Sequence, residues 1–272
     1  MTQRYCVFGH PVGHSKSPLI HAEFAHQTHQ TIEYSAIEAP LDDFAGAWRR
    51  FVEGGGRGAN VTVPFKQEAF ALCDTLSHRA LRAGAVNTLI VGGNGRTYGD
   101  NTDGMGLVRD LAYHRVAVKD ARILVVGAGG AVRGLLEPLL NEAPAAVAVV
   151  NRTAAKAEAL AADFSGLGLI TGGGFETLAG SYDLVINGTS ASLSGDLPPL
   201  PDDVFAKRAW AYDMMYSSEP TVFLQWAGPR GARLLDGLGM LVEQAAESFF
   251  LWRNVRPETS PVRDLLRKSL DY

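Results

Sequence analysis

A short stretch near the start of the chain, GHPVGHSKSPLIH (9–21), holds three histidines, two serines, a lysine and two prolines. Three more polar segments follow apolar runs further on: NVTVPFK (60–66), AVNT (85–88) and GDNTDG (99–104). In an open α/β sheet, ligands bind outside the carboxyl ends of the strands. Ser15, Ser17, Asn60, Thr62, Asn87 and Asp103 all belong to such strand-end segments. They are short, neutral or acidic, and carry hydroxyl, amide or carboxylate groups. That set suits a polyol ligand, whose hydroxyls both donate and accept hydrogen bonds. Each residue taken alone has a plainer use. Ser17 suits a helix N-cap, Asn87 a turn, and Asp103 the start of the next helix.

A second kind of chemistry is written in VVGAGGAVRG (125–134). An apolar run leads into Gly127, Ala128, Gly129, Gly130 and Ala131, and a helix-like segment follows. Glycines at such a turn let the backbone approach a pyrophosphate, while the helix start offers free N–H groups and a positive dipole end. The pattern departs from G-x-G-x-x-G at its last position, where Val132 stands. Dinucleotide units that take NAD place an acidic residue at the end of the next strand. Here that place holds Asn151, Arg152 and Thr153, with Lys156 a turn later. Two cations and a hydroxyl attract a 2′-phosphate that a carboxylate would repel, so NADP(H) is the expected cofactor.

These groups need elements to hold them. YCVFG, IEYSAIEA and GANVTV read as strands, with helices over LIHAEFAHQ and DDFAGAWRRFVE between them. AVNTLIVGGNGRTYGDNTD reads as a hairpin turning at Asn94-Gly95. After Asp103 come a helix, the glycine turn, and strands at AAVAVVNRT, DLVINGTS and AWAYDMMY. A final helix carries an apolar stripe at Leu241, Val242, Ala245, Phe249 and Trp252. Strands alternating with helices mean an α/β fold. Two lobes are expected: 1–103 plus 238–272, with a mainly parallel sheet and the C-terminal helices returning to it, and a Rossmann-like nucleotide lobe over 104–237.

Composition removes other classes. The 272 residues carry a net charge of −4 and no long basic run, which argues against a nucleic-acid groove. No apolar stretch approaches the roughly 20 residues that cross a bilayer. The first residues lack the apolar core of a signal peptide, so a cytoplasmic protein is expected. Cys6 and Cys73 read as buried thiols, and no Cys/His/carboxylate set has metal-ligand spacing. His26 and His29 read as helix surface.

Eight motifs in order, GHPVGHSKSPLIH, NVTVPFK, GAVNT, GDNTDG, GAGGAVRG, NRT, NGTS and DGLGMLVEQAA, resemble those of the biosynthetic, NADP-dependent shikimate dehydrogenase family, and the resemblance covers nearly the whole chain. It implies reduction of 3-dehydroshikimate to shikimate on the route to aromatic amino acids. By this resemblance Lys66 and Asp103 form the catalytic pair, and Ser15, Ser17 and Tyr216 hold the substrate carboxylate. Asn60, Thr62, Asn87, Asp103 and Gln244 hold ring hydroxyls. Thr189, Ser190, Met214 and Gly237 line the nicotinamide side, and His14 and His21 brace the first loop. A quinate/shikimate dehydrogenase using NAD shares most motifs, but the basic 151–156 segment argues against it. A methylenetetrahydrofolate dehydrogenase does not fit HSKSP or NTDG. A non-catalytic NADP-binding regulator would be expected to have lost Lys66 or Asp103. Monomer and homodimer both remain open.

Overall fold

The computed structural model describes residues 2–189 and 195–270. Contacts divide the chain into two compact units, Met1–Gly106 with Val242–Asp264 and Leu107–Leu241 with Leu265–Tyr272.

The first unit begins with β1 (Gln3–Gly9), α1 (Ser17–Gln27), β2 (Ile32–Glu38), α2 (Phe44–Glu53), β3 (Gly56–Val61) and α3 (Lys66–Leu72). It continues with β4 (Thr75–Leu76), α4 (His78–Ala83), β5 (Thr88–Val91) and β6 (Thr97–Asp100). The sheet order is β2-β1-β3-β5-β6-β4, and only β5 runs against its neighbours. The β5–β6 hairpin turns where its residues predict, with Gly95 at φ +78°. Alternation along β1 separates two cores. Cys6 and Phe8 face α2, where Phe8 meets Phe44, Trp48 and Phe51 edge-on. Tyr5 faces the other way and stacks on Trp252, 4.7 Å between centroids.

Helix α5 (Asp103–Tyr113) opens the way to the second unit. There follow β7 (Arg122–Val126), α6 (Gly130–Asn141), β8 (Ala146–Val150), α7 (Ala154–Phe164), β9 (Ile170–Gly173), β10 (Tyr182–Asn187) and β11 (Phe205–Asp213). Then come α8 (Val222–Ala227), β12 (Arg233–Asp236), α9 (Leu238–Arg253) and α10 (Ser260–Leu270). Helices α5 and α9 begin at 103 and 238, and the division falls within them, after Gly106 and after Leu241. The order β12-β11-β10-β7-β8-β9, all parallel, is the doubly wound nucleotide-binding arrangement. One face packs on α6 and α7 through Ile123, Val125, Val147 and Val149; the other packs on α8 through Leu124, Val126, Val185 and Ala211. No helix among the described residues is long and apolar enough to cross a membrane.

Several local expectations are corrected. Strands β4, β9 and β12 carry no clear strand pattern; β9 includes Gly172, where a Cβ would sit 2.1 Å from the Ala157 carbonyl oxygen. The close approach of α7 demands glycine there, and glycine hides the strand. Ser17 is not the N-cap of α1. Lys16 already has helical angles, so the helix starts early; Ser17 lies inside it, 6% exposed, and its N–H donates to Ser15 Oγ at 3.2 Å. His29 lies beyond α1 at φ +52°. Cys73 is only half-buried, its thiol pushed up to about 12 by burial and by Asp74. His14 is exposed and makes no side-chain bond among the described residues.

His21, in contrast, is fully buried against the Tyr34 ring at 4.2 Å, and its Nε2 donates to Asn60 Oδ1 at 3.1 Å. Burial holds it down to about 3, with the Asn60 bond opposing. The native state therefore refuses a proton that the unfolded chain accepts near pH 6.5. Stability is full above that pH and should fall below it by about 1.4 kcal/mol per unit from this residue. Urea unfolding at about pH 7, 6 and 5 measures the slope. His21→Gln should flatten it; an unchanged slope would clear His21 of this role.

Candidate functional site

The antiparallel β5 explains how distant motifs meet. Running against its neighbours, it places its first residues at the edge where β1, β3 and β6 end. Backbone bonds continue the ladder past the strands: Thr62 N to Phe8 O (2.9 Å), Val61 N to Asn87 O (2.8 Å) and Asn87 N to Asp100 O (3.0 Å). Val86 N to Lys66 O (2.9 Å) ties down the start of α3.

At this edge Lys66 Nζ donates to Asp103 Oδ2 at 2.6 Å. The side chain of Asp103 is 13% exposed and that of Lys66 28%, so the pair is shielded yet reachable. Asn87 Nδ2 donates to the other Asp103 oxygen at 2.8 Å, to Thr102 Oγ1 at 2.9 Å and to Gln244 Oε1 at 3.3 Å. Asn87 Oδ1 accepts from Thr102 N and Thr88 Oγ1, both at 2.9 Å. Asn60 is engaged at both ends. Its Oδ1 takes Tyr34 (2.7 Å) and His21, and its Nδ2 gives to Ser248 Oγ at 2.9 Å. Thr62 is partly exposed with no side-chain bond among the described residues, and Ser15 is partly exposed. One unit thus gathers Ser15, Ser17, Asn60, Thr62, Lys66, Asn87, Asp103 and Gln244.

Tyr216 belongs to the second unit, after β11; burial and then the Asp236 carboxylate push its phenol up, keeping the O–H. There β7 leads into Gly127, whose φ of +109° only glycine adopts readily. Gly129 and Gly130 are exposed, and a Cβ on either would meet nothing within 4 Å. This is an open cradle at the start of α6. Val132, in place of the expected glycine, is fully buried, and the needed space is supplied opposite it. A Cβ on Gly188 would lie 2.4 Å from Val132 Cγ2. Asn151 Nδ2 bonds Thr153 O at 3.1 Å and shapes the next turn. Arg152 and Lys156 are exposed and make no ion pair among the described residues. They stand at the positive end of α7, whose first turn has no acid. Cations there are unfavourable until an anion arrives. Met214 follows β11, and its carbonyl oxygen would lie 2.1 Å from a Cβ on Gly237, so backbones meet there. Thr189 Oγ1 donates to Asn187 Oδ1 at 2.8 Å. Ser190 lies outside the described residues.

Residues 7–89 match the family model of the shikimate dehydrogenase substrate binding domain. Residues 110–194 match that of shikimate / quinate 5-dehydrogenase, and residues 237–267 that of the shikimate 5′-dehydrogenase C-terminal domain. A Chromohalobacter salexigens protein named shikimate dehydrogenase (NADP(+)) is 65% identical over 267 residues, 98% of each chain. The chain belongs to the shikimate dehydrogenase family. Among solved structures, an Ael1 enzyme from Pseudomonas putida has a TM-score of 0.94 at 47% identity, covering 97% of this chain and 98% of its own. A Thermus thermophilus shikimate 5-dehydrogenase, solved in complex with NADP(H) and shikimate, has a TM-score of 0.88 at 34% identity. It covers 99% of this chain and 100% of its own.

Within this member of the shikimate dehydrogenase family, some organising residues escape a reading of strand-end motifs. Ser248 is fully buried and links Thr88 (2.8 Å) to Asn60. Its only trace in the sequence is a lone hydroxyl beside the apolar stripe of α9. Asp213, also fully buried, takes Thr221 Oγ1 at 2.6 Å and Met215 N at 3.1 Å, pinning the turn after β11.

The Val132–Gly188 exchange is testable. Gly188→Ala should destabilise by about 1–3 kcal/mol through overpacking. Adding Val132→Ala should restore part of that loss, because the two changes share one space. Thermal unfolding of the single and double variants measures it. Strictly additive losses would show that the two side chains do not compete.

Proposed function

We propose that this protein interconverts 3-dehydroshikimate and shikimate with NADP(H), as a cytoplasmic biosynthetic enzyme. The observation that carries the reading is the Lys66–Asp103 pair at 2.6 Å, set among hydroxyl and amide groups in a chain of this family.

The residues of the second unit fit the cofactor. The open Gly129–Gly130 cradle would take the pyrophosphate, and Arg152, Thr153 and Lys156 the 2′-phosphate. Gly127, Ala128, Ala131 and Asn151 shape those turns, and Thr189, Ser190, Met214 and Gly237 would border the nicotinamide. When bound, NADPH supplies the hydride that reduces the ketone. The chain's own residues do the rest. Lys66 carries a proton on Nζ and places positive charge where the carbonyl oxygen gains electron density. Asp103 holds that ammonium and accepts from a ring hydroxyl. Asn87, engaged by protein at both ends, fixes the carboxylate from its far side, while Thr62 and Gln244 sort ring hydroxyls by donor and acceptor. Asn60, with both ends engaged by protein, serves this set by fixing Thr88 and Ser248. Ser15 and Ser17 receive the substrate carboxylate.

Absorbance at the nicotinamide band decides, with shikimate and quinate each offered with NADP and NAD. Reduction with shikimate and NADP alone is the expected result. Quinate or NAD turnover of comparable efficiency would replace this reading with that of a quinate/shikimate enzyme. Lys66→Ala should lower turnover by about 100-fold or more with cofactor affinity kept. Near-normal turnover would remove the proton-donor role. Arg152→Ala should weaken NADPH by roughly ten- to a hundredfold and leave NADH nearly unchanged; equal losses for both would refute the 2′-phosphate contact.

A further inference from the structure

Behind the loop that carries Asp103 lies a network of buried charge with no place in the chemistry above. Asp100 ends β6 and is 2% exposed. Its Oδ1 accepts from Arg79 Nε and Ser77 Oγ, both at 2.6 Å, and from Asn101 N at 2.7 Å. Its Oδ2 accepts from Arg79 Nη2 at 2.9 Å. The same Nη2 donates to Glu247 Oε1 on α9 at 3.0 Å, and Arg256 closes the chain on Glu247 Oε2 at 2.8 Å. Between Asp100 and Asp103 the links are tight. Asn101 Nδ2 donates to Ala85 O and Asn101 Oδ1 accepts from Asp103 N, both at 3.1 Å, while Thr102 N is held by Asn87. On α9, Glu247 lies one turn beyond Gln244 and adjoins Ser248. A single guanidinium therefore grips both the strand end that leads into Asp103 and the helix that carries Gln244.

We propose that Arg79 is a positioning residue for this reaction, clamping Asp100 and Glu247 so that Asp103 and Gln244 keep their places around Lys66 and Asn87. The proposal rests on the functional reading above. It depends on the fork: Nε and Nη2 lie in one plane and engage both Asp100 oxygens while one of them also reaches Glu247. An ammonium supplies the charge without that geometry.

Arg79→Lys is the test. NADPH affinity, read by fluorescence titration, should be unchanged, because the groups assigned to the cofactor lie in the other unit. The kcat/KM for shikimate should fall by about 10- to 100-fold, with kcat falling more than KM rises, since slight misplacement of a reacting group has an effect of this size. Combined with Asp103→Asn, the losses should be clearly less than additive if Arg79 acts through Asp103. Unchanged kcat/KM in Arg79→Lys, or strictly additive losses, would overturn the clamp and leave Arg79 a structural residue. If Arg79→Lys does not fold, Glu247→Gln serves. It should lower kcat/KM several-fold and be non-additive with Gln244→Ala; full activity or additivity there overturns the proposal equally. A wild-type protein that neither binds nor oxidises shikimate would refute the functional reading and the clamp with it. An active wild type beside an unaffected Arg79→Lys would refute the clamp alone.

Discussion

A buried carboxamide must pair both its oxygen and its nitrogen, and Asn87 does so in a way that organises the first unit. It is 2% exposed, too deep for water to repair a missing bond. Its oxygen gathers Thr88 and Thr102, and its nitrogen gathers Thr102, Asp103 and Gln244. That set ties β5, the 100–103 loop and α9 together. The orientation of Asp103 toward Lys66 follows from this constraint, because one carboxylate oxygen is taken by Asn87 and the other is left for the ammonium. Buried polar networks of this kind specify a single structure when every member is satisfied.

The second unit solves a different problem, that of bringing a backbone close to a ligand. Gly127 accepts a conformation that other residues resist, while Gly129 and Gly130 leave their space open. The third contact of the usual motif, between helix and strand, is met by exchanging partners: Val132 is large and Gly188 is small. The volume at the contact is conserved although the residue pattern is not. This is why a motif match judged on spacing alone undervalues the turn.

Much of this was legible in the sequence. The hairpin at Asn94-Gly95 and the glycine turn announce themselves because their backbone needs are local. The strand-end polar segments point to one sheet edge because strand direction follows from α/β alternation. What stayed hidden was set by tertiary contact. Strand β9 reads as a turn because α7 presses on Gly172; β4 has two residues and exists only through its pairing with β6. The Ser17 side chain lies inside α1 because Lys16 starts the helix first. Ser248 looks like a stray hydroxyl until Asn60 and Thr88 are placed beside it. The Lys66–Asp103 pairing itself needed the family's motifs, since neither a lysine after a strand nor an aspartate before a helix declares a partner.

The reach of α9 carries a consequence for biosynthesis. Asn60 and Ser248 are 188 positions apart, and Trp252 bonds Leu89 O across 163. A ribosome making the chain releases β1 through β6 long before α9 exists. During that interval one face of the new sheet, with Tyr5 on it and the Asn60 amide beside it, has α1 but lacks the cover that Ser248 and Trp252 give. The first unit cannot finish its core while the second is being made, although every element of its sheet is already present. The nucleotide unit, apart from its last residues, is complete by Leu241 and is free to fold in the meantime. Synthesis therefore runs in one order and completion in another: the part made first closes late, when α9 arrives to seal it.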